Sequence, residues 1–90
     1  MKSADILVTG KVQGVWFRDF VTKTANNLEL YGWVKNNPDG SVSSAVEGDE
    51  ENILKLLDII KIGSHLSKVE DVKINWLSYE NKFNSFKIIR

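Results

Sequence analysis

Between residues 6 and 12 apolar and polar positions alternate. Ile6, Val8, Gly10 and Val12 are separated by Leu7, Thr9 and Lys11, a two-residue period that predicts a half-buried strand. From Phe17 the period lengthens. Phe17, Phe20, Val21, Thr24, Ala25 and Leu28 fall on one face of a helix, and Asn26 and Asn27, both poor helix formers, weaken its last turn.

Residues 30–35 and 41–47 return to strand patterning and are joined by Asn36-Asn37-Pro38-Asp39-Gly40. Pro38 presets the backbone for a turn, Asp39 suits its third position and Gly40 accepts positive φ, so the pair reads as a hairpin. Gly48-Asp49-Glu50-Glu51 opens a second helix, with Asp49 as N-cap and two glutamates near the positive helix end. Ile53, Leu56, Leu57 and Ile60 are its buried stripe and Gly63 its stop. Val72, Ile74 and Trp76 alternate as a fourth strand, with Trp76 expected in the core, and Phe86 and Ile88 mark a short fifth strand.

The order is β-α-β-β-α-β plus a short C-terminal strand. Two helices with one apolar stripe each can cover only one face of a sheet. The economical fold is a ferredoxin-like α+β sandwich, a mostly antiparallel sheet with both helices on one side. No linker or repeat divides the chain, so residues 1–90 read as a single domain near the lower size limit for folding on one core.

Charge narrows the partners. Twelve basic and twelve acidic residues cancel, so no global field draws the chain to nucleic acid or to a membrane surface, and any anion site must be local. The absence of cysteine removes disulfides, thiolate metal sites and thiol nucleophiles together, and suits a reducing compartment. The N-terminal run MKSADILVTG is too short and too broken for a leader or a membrane span. A cytoplasmic protein, acting as a monomer, is the expectation.

The local chemistry gathers where the first strand meets the first helix. Gly14 lets residues 13–16 turn with successive N–H groups facing one concavity, and the helix start adds unpaired donors and partial positive charge. Arg18 brings a forked, permanently charged donor into that first turn. A cation there opposes the helix dipole by about 0.3–1 kcal/mol, a sign that a bound anion would reverse. A plain tight turn beside a solvated arginine has the same spacing, so the residues alone leave both readings open.

VTGKVQGVWFR, from Val8 to Arg18, resembles the first signature of the acylphosphatase family, an apolar residue followed by G-x-V-Q-G-V-x-F-R. GWVKNNPDGSVSSAVEG, from Gly32 to Gly48, resembles the second through its G-W-V-K-N, Gly40, Val42 and Gly48. The resemblance covers essentially the whole chain and agrees with the fold read from periodicity. It implies hydrolysis of small acyl phosphates to carboxylate and inorganic phosphate, without cofactor or metal. The family's phosphate-cradling turn falls on Gln13, Gly14, Val15 and Trp16, its catalytic arginine on Arg18 and its water-orienting asparagine on Asn36.

So few parts suffice chemically. An acyl phosphate carries a good leaving group, so the protein must mainly position water and stabilise charge on the phosphoryl oxygens. Alternation puts Asn36 on one face with Gly32 and Val34, whereas Asn37 faces the other way and suits a turn role. His65 lies at no motif position and reads as a surface or helix-end residue; Asp49 to Glu51 read as a helix start, not a metal site. Trp16 and Trp33 are candidates to line the acyl side of the pocket. The alternative function is a non-catalytic anion-binding or regulatory module on the same scaffold, akin to the acylphosphatase-like domain of larger carbamoyl-transfer proteins.

Overall fold

A computed structural model of the chain describes residues 1–89. The elements follow the expected order: β1 (Lys2–Lys11), α1 (Phe17–Asn27), β2 (Tyr31–Asn36), β3 (Val42–Gly48), α2 (Glu50–Ile62), β4 (Lys68–Leu77) and β5 (Phe86–Ile88). The strands form one five-stranded sheet in the order β4-β1-β3-β2-β5. All its pairings are antiparallel except that between β2 and β5. No described helix is long and apolar enough to cross a membrane.

Register carries the two-residue period across the sheet. Ala4, Ile6 and Val8 of β1 stand opposite Val46, Ser44 and Val42 of β3. This face packs on the stripes of both helices: Phe17, Val21 and Ala25 of α1, and Ile53, Leu56, Leu57 and Ile60 of α2. Each large side chain so buried contributes roughly 1.5–3 kcal/mol of transfer free energy. Gly32 has φ +142 and a Cβ there would run into the backbone of Ala45, so β2 and β3 pair this closely only with glycine at that position.

Two expectations need correction. Trp76 does face the helix side, opposite Ala4, but β4 is an edge strand and the residue is 41% exposed, not core. Asp49 occupies the N-cap position of α2, yet its side chain makes no capping hydrogen bond. β1 also starts earlier than its alternation suggested, because Ser3 and Ala4 pair on both sides with β3 and β4.

β4 and β5 lie at opposite edges, four interstrand steps or about 19 Å apart. The connecting residues 78–85 bridge that span and are fixed by one buried carboxylate. Glu47, only 2% exposed, accepts hydrogen bonds from Ser3 Oγ at 2.8 Å and from the backbone N–H groups of Lys82 and Phe83 at 2.9 and 3.2 Å. Burial alone would raise its pKa, but the hydrogen bonds from Ser3 and from the backbone of Phe83, Lys82 and Glu80 outweigh it and hold the carboxyl below its ordinary value.

A depressed native pKa contributes stability in full above the ordinary value of 4.5, and that contribution is lost as pH falls through the native value. Glu47→Gln should therefore lower the unfolding free energy at neutral pH by about 1–3 kcal/mol. It should also flatten the loss of stability as the solution is acidified from about pH 5 downward. Urea titrations at several pH values check this; parallel acid limbs in variant and wild type would remove Glu47 from the role.

Candidate active site

β1 delivers the chain to Val12, which is buried, and α1 takes it up at Phe17, which is equally buried. The intervening turn is anchored at both ends in the core while its middle faces solvent. Gly14 has φ +71 with open space where a Cβ would stand, and Trp16, the N-cap of α1, is left-handed at φ 61 and ψ 23. A bulky residue held in that region costs on the order of 1–3 kcal/mol and persists only where its surroundings enforce it. Trp16 also supplies no side-chain cap. Its carbonyl accepts from the N–H of Phe20 at 3.0 Å, which starts the helix.

This leaves donors unmet. Among the described residues, no backbone or side-chain oxygen accepts from the N–H groups of residues 14–19. Backbone that alternates into the left-handed region turns such groups toward a common centre, and the helix terminus adds its partial positive charge. Arg18, half-buried, has no ion-pair partner among the described residues. The arrangement offers an anion several neutral donors and one fixed cation.

Asn36 closes the site from the sheet. β5 pairs with β2 from Gly32 to Val34, and the Ile89 N–H donates to the Val34 carbonyl at 2.9 Å. Asn36 stands two residues beyond Val34, on the same face, opposite Val42 of β3. Its Oδ1 is buried and meets no hydrogen-bond donor among the described residues. A buried acceptor without a partner costs about 1–3 kcal/mol unless something else satisfies it. Gly14, Trp16, Arg18, Asp19, Asn36 and Ile88 surround one cavity of about 550 Å³.

Gln13 has a role that its position in the turn did not disclose. Its Nε2 donates to the carbonyls of Asn37 and Ser41, both at 2.8 Å. The side chain thus ties the turn to the β2–β3 hairpin, and neither Gln13 nor Val15 lines the cavity; Val15 lines a separate cleft. The hairpin itself is held by Asn37, whose Nδ2 donates to Ser41 Oγ and Ser43 Oγ at 2.9 and 2.7 Å. Asp39 Oδ1 accepts from Ser41 N–H and Oγ at 2.9 and 2.6 Å, and the Ser41 hydroxyl and N–H hold its carboxyl below the ordinary value. Asn37 is the bracket and Asn36 the free amide.

Trp33 lies outside the site. Its alternation with Asn36 puts it on the opposite sheet face, where Lys35 Nζ sits 5.4 Å from its ring centroid. His65 is exposed and does not line the cavity. Ile88 and Asp19 were missed in the sequence. Ile88 reaches the cavity only because β5 pairs in parallel with β2, which no local pattern announces.

With the geometry in hand, the comparisons with known proteins are direct. The acylphosphatase family model matches residues 4–88. The chain is 44% identical over 87 residues to an acylphosphatase of Methanococcoides burtonii, an alignment covering 97% of this chain and 91% of the relative. Among solved structures, the acylphosphatase from Bacillus subtilis superposes with a TM-score of 0.96 at 38% identity, covering all of both chains. Full-length HypF contains a similar unit, with a TM-score of 0.91 at 31% identity, of which this chain spans 12%.

Gln13→Ala should cost about 1 kcal/mol, because the carbonyls it leaves each keep a backbone donor. It should also loosen the turn relative to the hairpin. The expected result is a smaller rise in melting temperature on adding millimolar phosphate than in wild type; an equal rise would show that the turn keeps its shape without this brace.

Proposed function

Because the chain belongs to the acylphosphatase family, whose activity is the hydrolysis of the carboxyl–phosphate bond, we propose that residues 13–18 hold the phosphoryl group and that Asn36 orients the water. The observation that carries this reading is the buried Asn36 Oδ1, without a donor among the described residues, at the cavity that Arg18 and Gly14 also line. Backbone N–H groups of the turn and the first helical residues donate to the phosphoryl oxygens. Arg18 spans two of them with its fork, as a lysine could not.

Asn36 Oδ1 accepts from the attacking water and aims its lone pair at phosphorus. The new O–P bond forms as the P–O bond to the acyl group breaks, and the electron pair leaves with the carboxylate. That carboxylate needs no proton near neutral pH, and the proton released by the water passes to the phosphate product or to solvent. Donors fixed in place where charge develops supply the larger part of the stabilisation. This division of labour asks for no general acid, and the cavity offers none beyond the exposed Asp19.

The same reading assigns no step to a metal, because the turn N–H groups, Arg18 and Asn36 supply the charge stabilisation and the water orientation. A chain without cysteine suits a reducing compartment such as the cytoplasm, and the residues lining the cavity all come from a single chain, which fits action as a monomer.

Arg18→Lys should lower kcat/KM for acetyl phosphate by about a hundredfold or more, measured as phosphate release in the presence of a chelator. Turnover near wild type, or abolition of wild-type activity by the chelator, would refute the scheme.

Asn36→Ala should lower kcat by a similar factor with phosphate affinity nearly unchanged, since the lost contact is to water and not to the anion. Asn36→Asp should weaken both, because it adds negative charge beside the phosphate. An Asn36→Ala variant that keeps its kcat would remove the residue from the mechanism.

A further inference from the structure

A second cavity, of about 280 Å³, adjoins the first. It lies between α1 and the connection from α2 to β4, and Val15, Trp16, Phe20 and Leu66 supply most of its wall, with His65 at the same connection. Trp16 and Asp19 border both cavities, so the two are neighbours across the first turn of α1.

We infer that the acyl group of the substrate crosses Trp16 and lies in this second cleft, making the enzyme selective for acyl phosphates with an extended hydrocarbon chain. This rests on the reading of residues 13–18 as the phosphoryl cradle. The phosphoryl end is fixed at the first cavity by Arg18 and the N–H groups around it. The second cleft is walled mainly by Val15, Trp16, Phe20 and Leu66, with Lys23, Ser64 and His65 as its basic and hydroxyl groups. The acyl end must then find hydrocarbon within reach. On the core side of the first cavity, Val12 and Phe17 are each 1% exposed, so Ile88 is left as the accessible apolar contact there. On the helix side, Trp16 is 76% exposed and Leu66 50% exposed.

Trp16 holds a large apolar side chain in left-handed backbone at a helix N-cap, where the side chain makes no capping hydrogen bond. That placement is unfavourable for an isolated protein and useful for a substrate that must pass over an aromatic surface. The cleft exceeds the cavity of about 150 Å³ that suffices for a benzene ring, so a chain of several methylenes fits within it.

The test compares kcat/KM for acetyl, butyryl and hexanoyl phosphate in wild type and in Leu66→Ser. Leu66 lies in an exposed connection, so the variant is expected to fold; circular dichroism and a melting curve verify it. Full burial of a methylene is equivalent to about a fourfold gain. Partial burial of the hexanoyl chain should therefore give about tenfold or more over acetyl in wild type. Leu66→Ser should compress that ratio severalfold. An independent reading comes from titrating wild type with 2-oxoheptylphosphonate and 2-oxopropylphosphonate, stable analogues of the hexanoyl and acetyl substrates. The longer should bind more tightly and shift tryptophan emission to the blue. A flat acyl series, or an unchanged ratio in Leu66→Ser, would overturn the cleft assignment while leaving the hydrolase intact. Failure of wild type to hydrolyse any of the three would overturn the cradle reading beneath it.

Discussion

The paired hydrogen bonds from Gln13 Nε2 to the hairpin carbonyls of Asn37 and Ser41 set the distance on which the site depends. In the proposed mechanism the phosphoryl donors belong to the turn before α1 and the water-orienting amide to the end of β2, segments far apart in sequence. Each is rigid in itself. The turn hangs between Val12 and Phe17 in the core, and the hairpin is held by Asn37 and Asp39. Without a tie the two would be related only through the length of β1 and the packing of α1. An error of an ångström between water and phosphorus is enough to forfeit much of the gain from orientation.

The rest of the sheet serves the same geometry from the other side. β5 reaches the outer edge of β2 by a connection that crosses the width of the sheet, and Glu47 fastens that connection with its buried carboxylate. The consequence is felt at the site, because β5 places Ile88 against the cavity that Asn36 also lines. The amide is thus flanked by packed chain, while its Oδ1 meets no donor among the described residues.

Much of this was legible in the chain because local rules and global fold agree. The apolar stripes of both helices, the Pro38-Asp39-Gly40 turn and the stop at Gly63 each follow from nearest-neighbour chemistry, and the structure keeps them. What was illegible depends on partners distant in sequence. Trp76 has the right parity for the core, but parity does not say that β4 is an edge. Trp33 was a candidate for the pocket although its parity with Asn36 already argued against it. Glu47 gave no sign of burial, since a carboxylate at a strand end is ordinarily solvated, and its donors come from residues 3, 82 and 83. Gln13 drew notice for the N–H groups of its turn, and nothing local disclosed that its side chain braces the hairpin 24 and 28 residues away.

In the proposed mechanism a chain with no net charge holds a phosphoryl group by attraction assembled locally at the start of α1. Among the described residues the N–H groups at the start of α1 lack partners, the Trp16 side chain does not cap them, and Arg18 adds a full charge where the helix dipole already disfavours one. Each of these is a small cost to the unliganded fold, of the kind that proteins of this size carry with difficulty. A bound phosphoryl group relieves all of them together. The same economy bears on the reaction, because those donors face oxygens whose charge grows or redistributes as the bond to the carboxylate breaks. The leaving group already supplies what a catalytic acid would add elsewhere. Fixed dipoles and one guanidinium, kept in register with a single amide, are then sufficient, and a small fold without cysteine or metal-ligand cluster among its described residues can provide them.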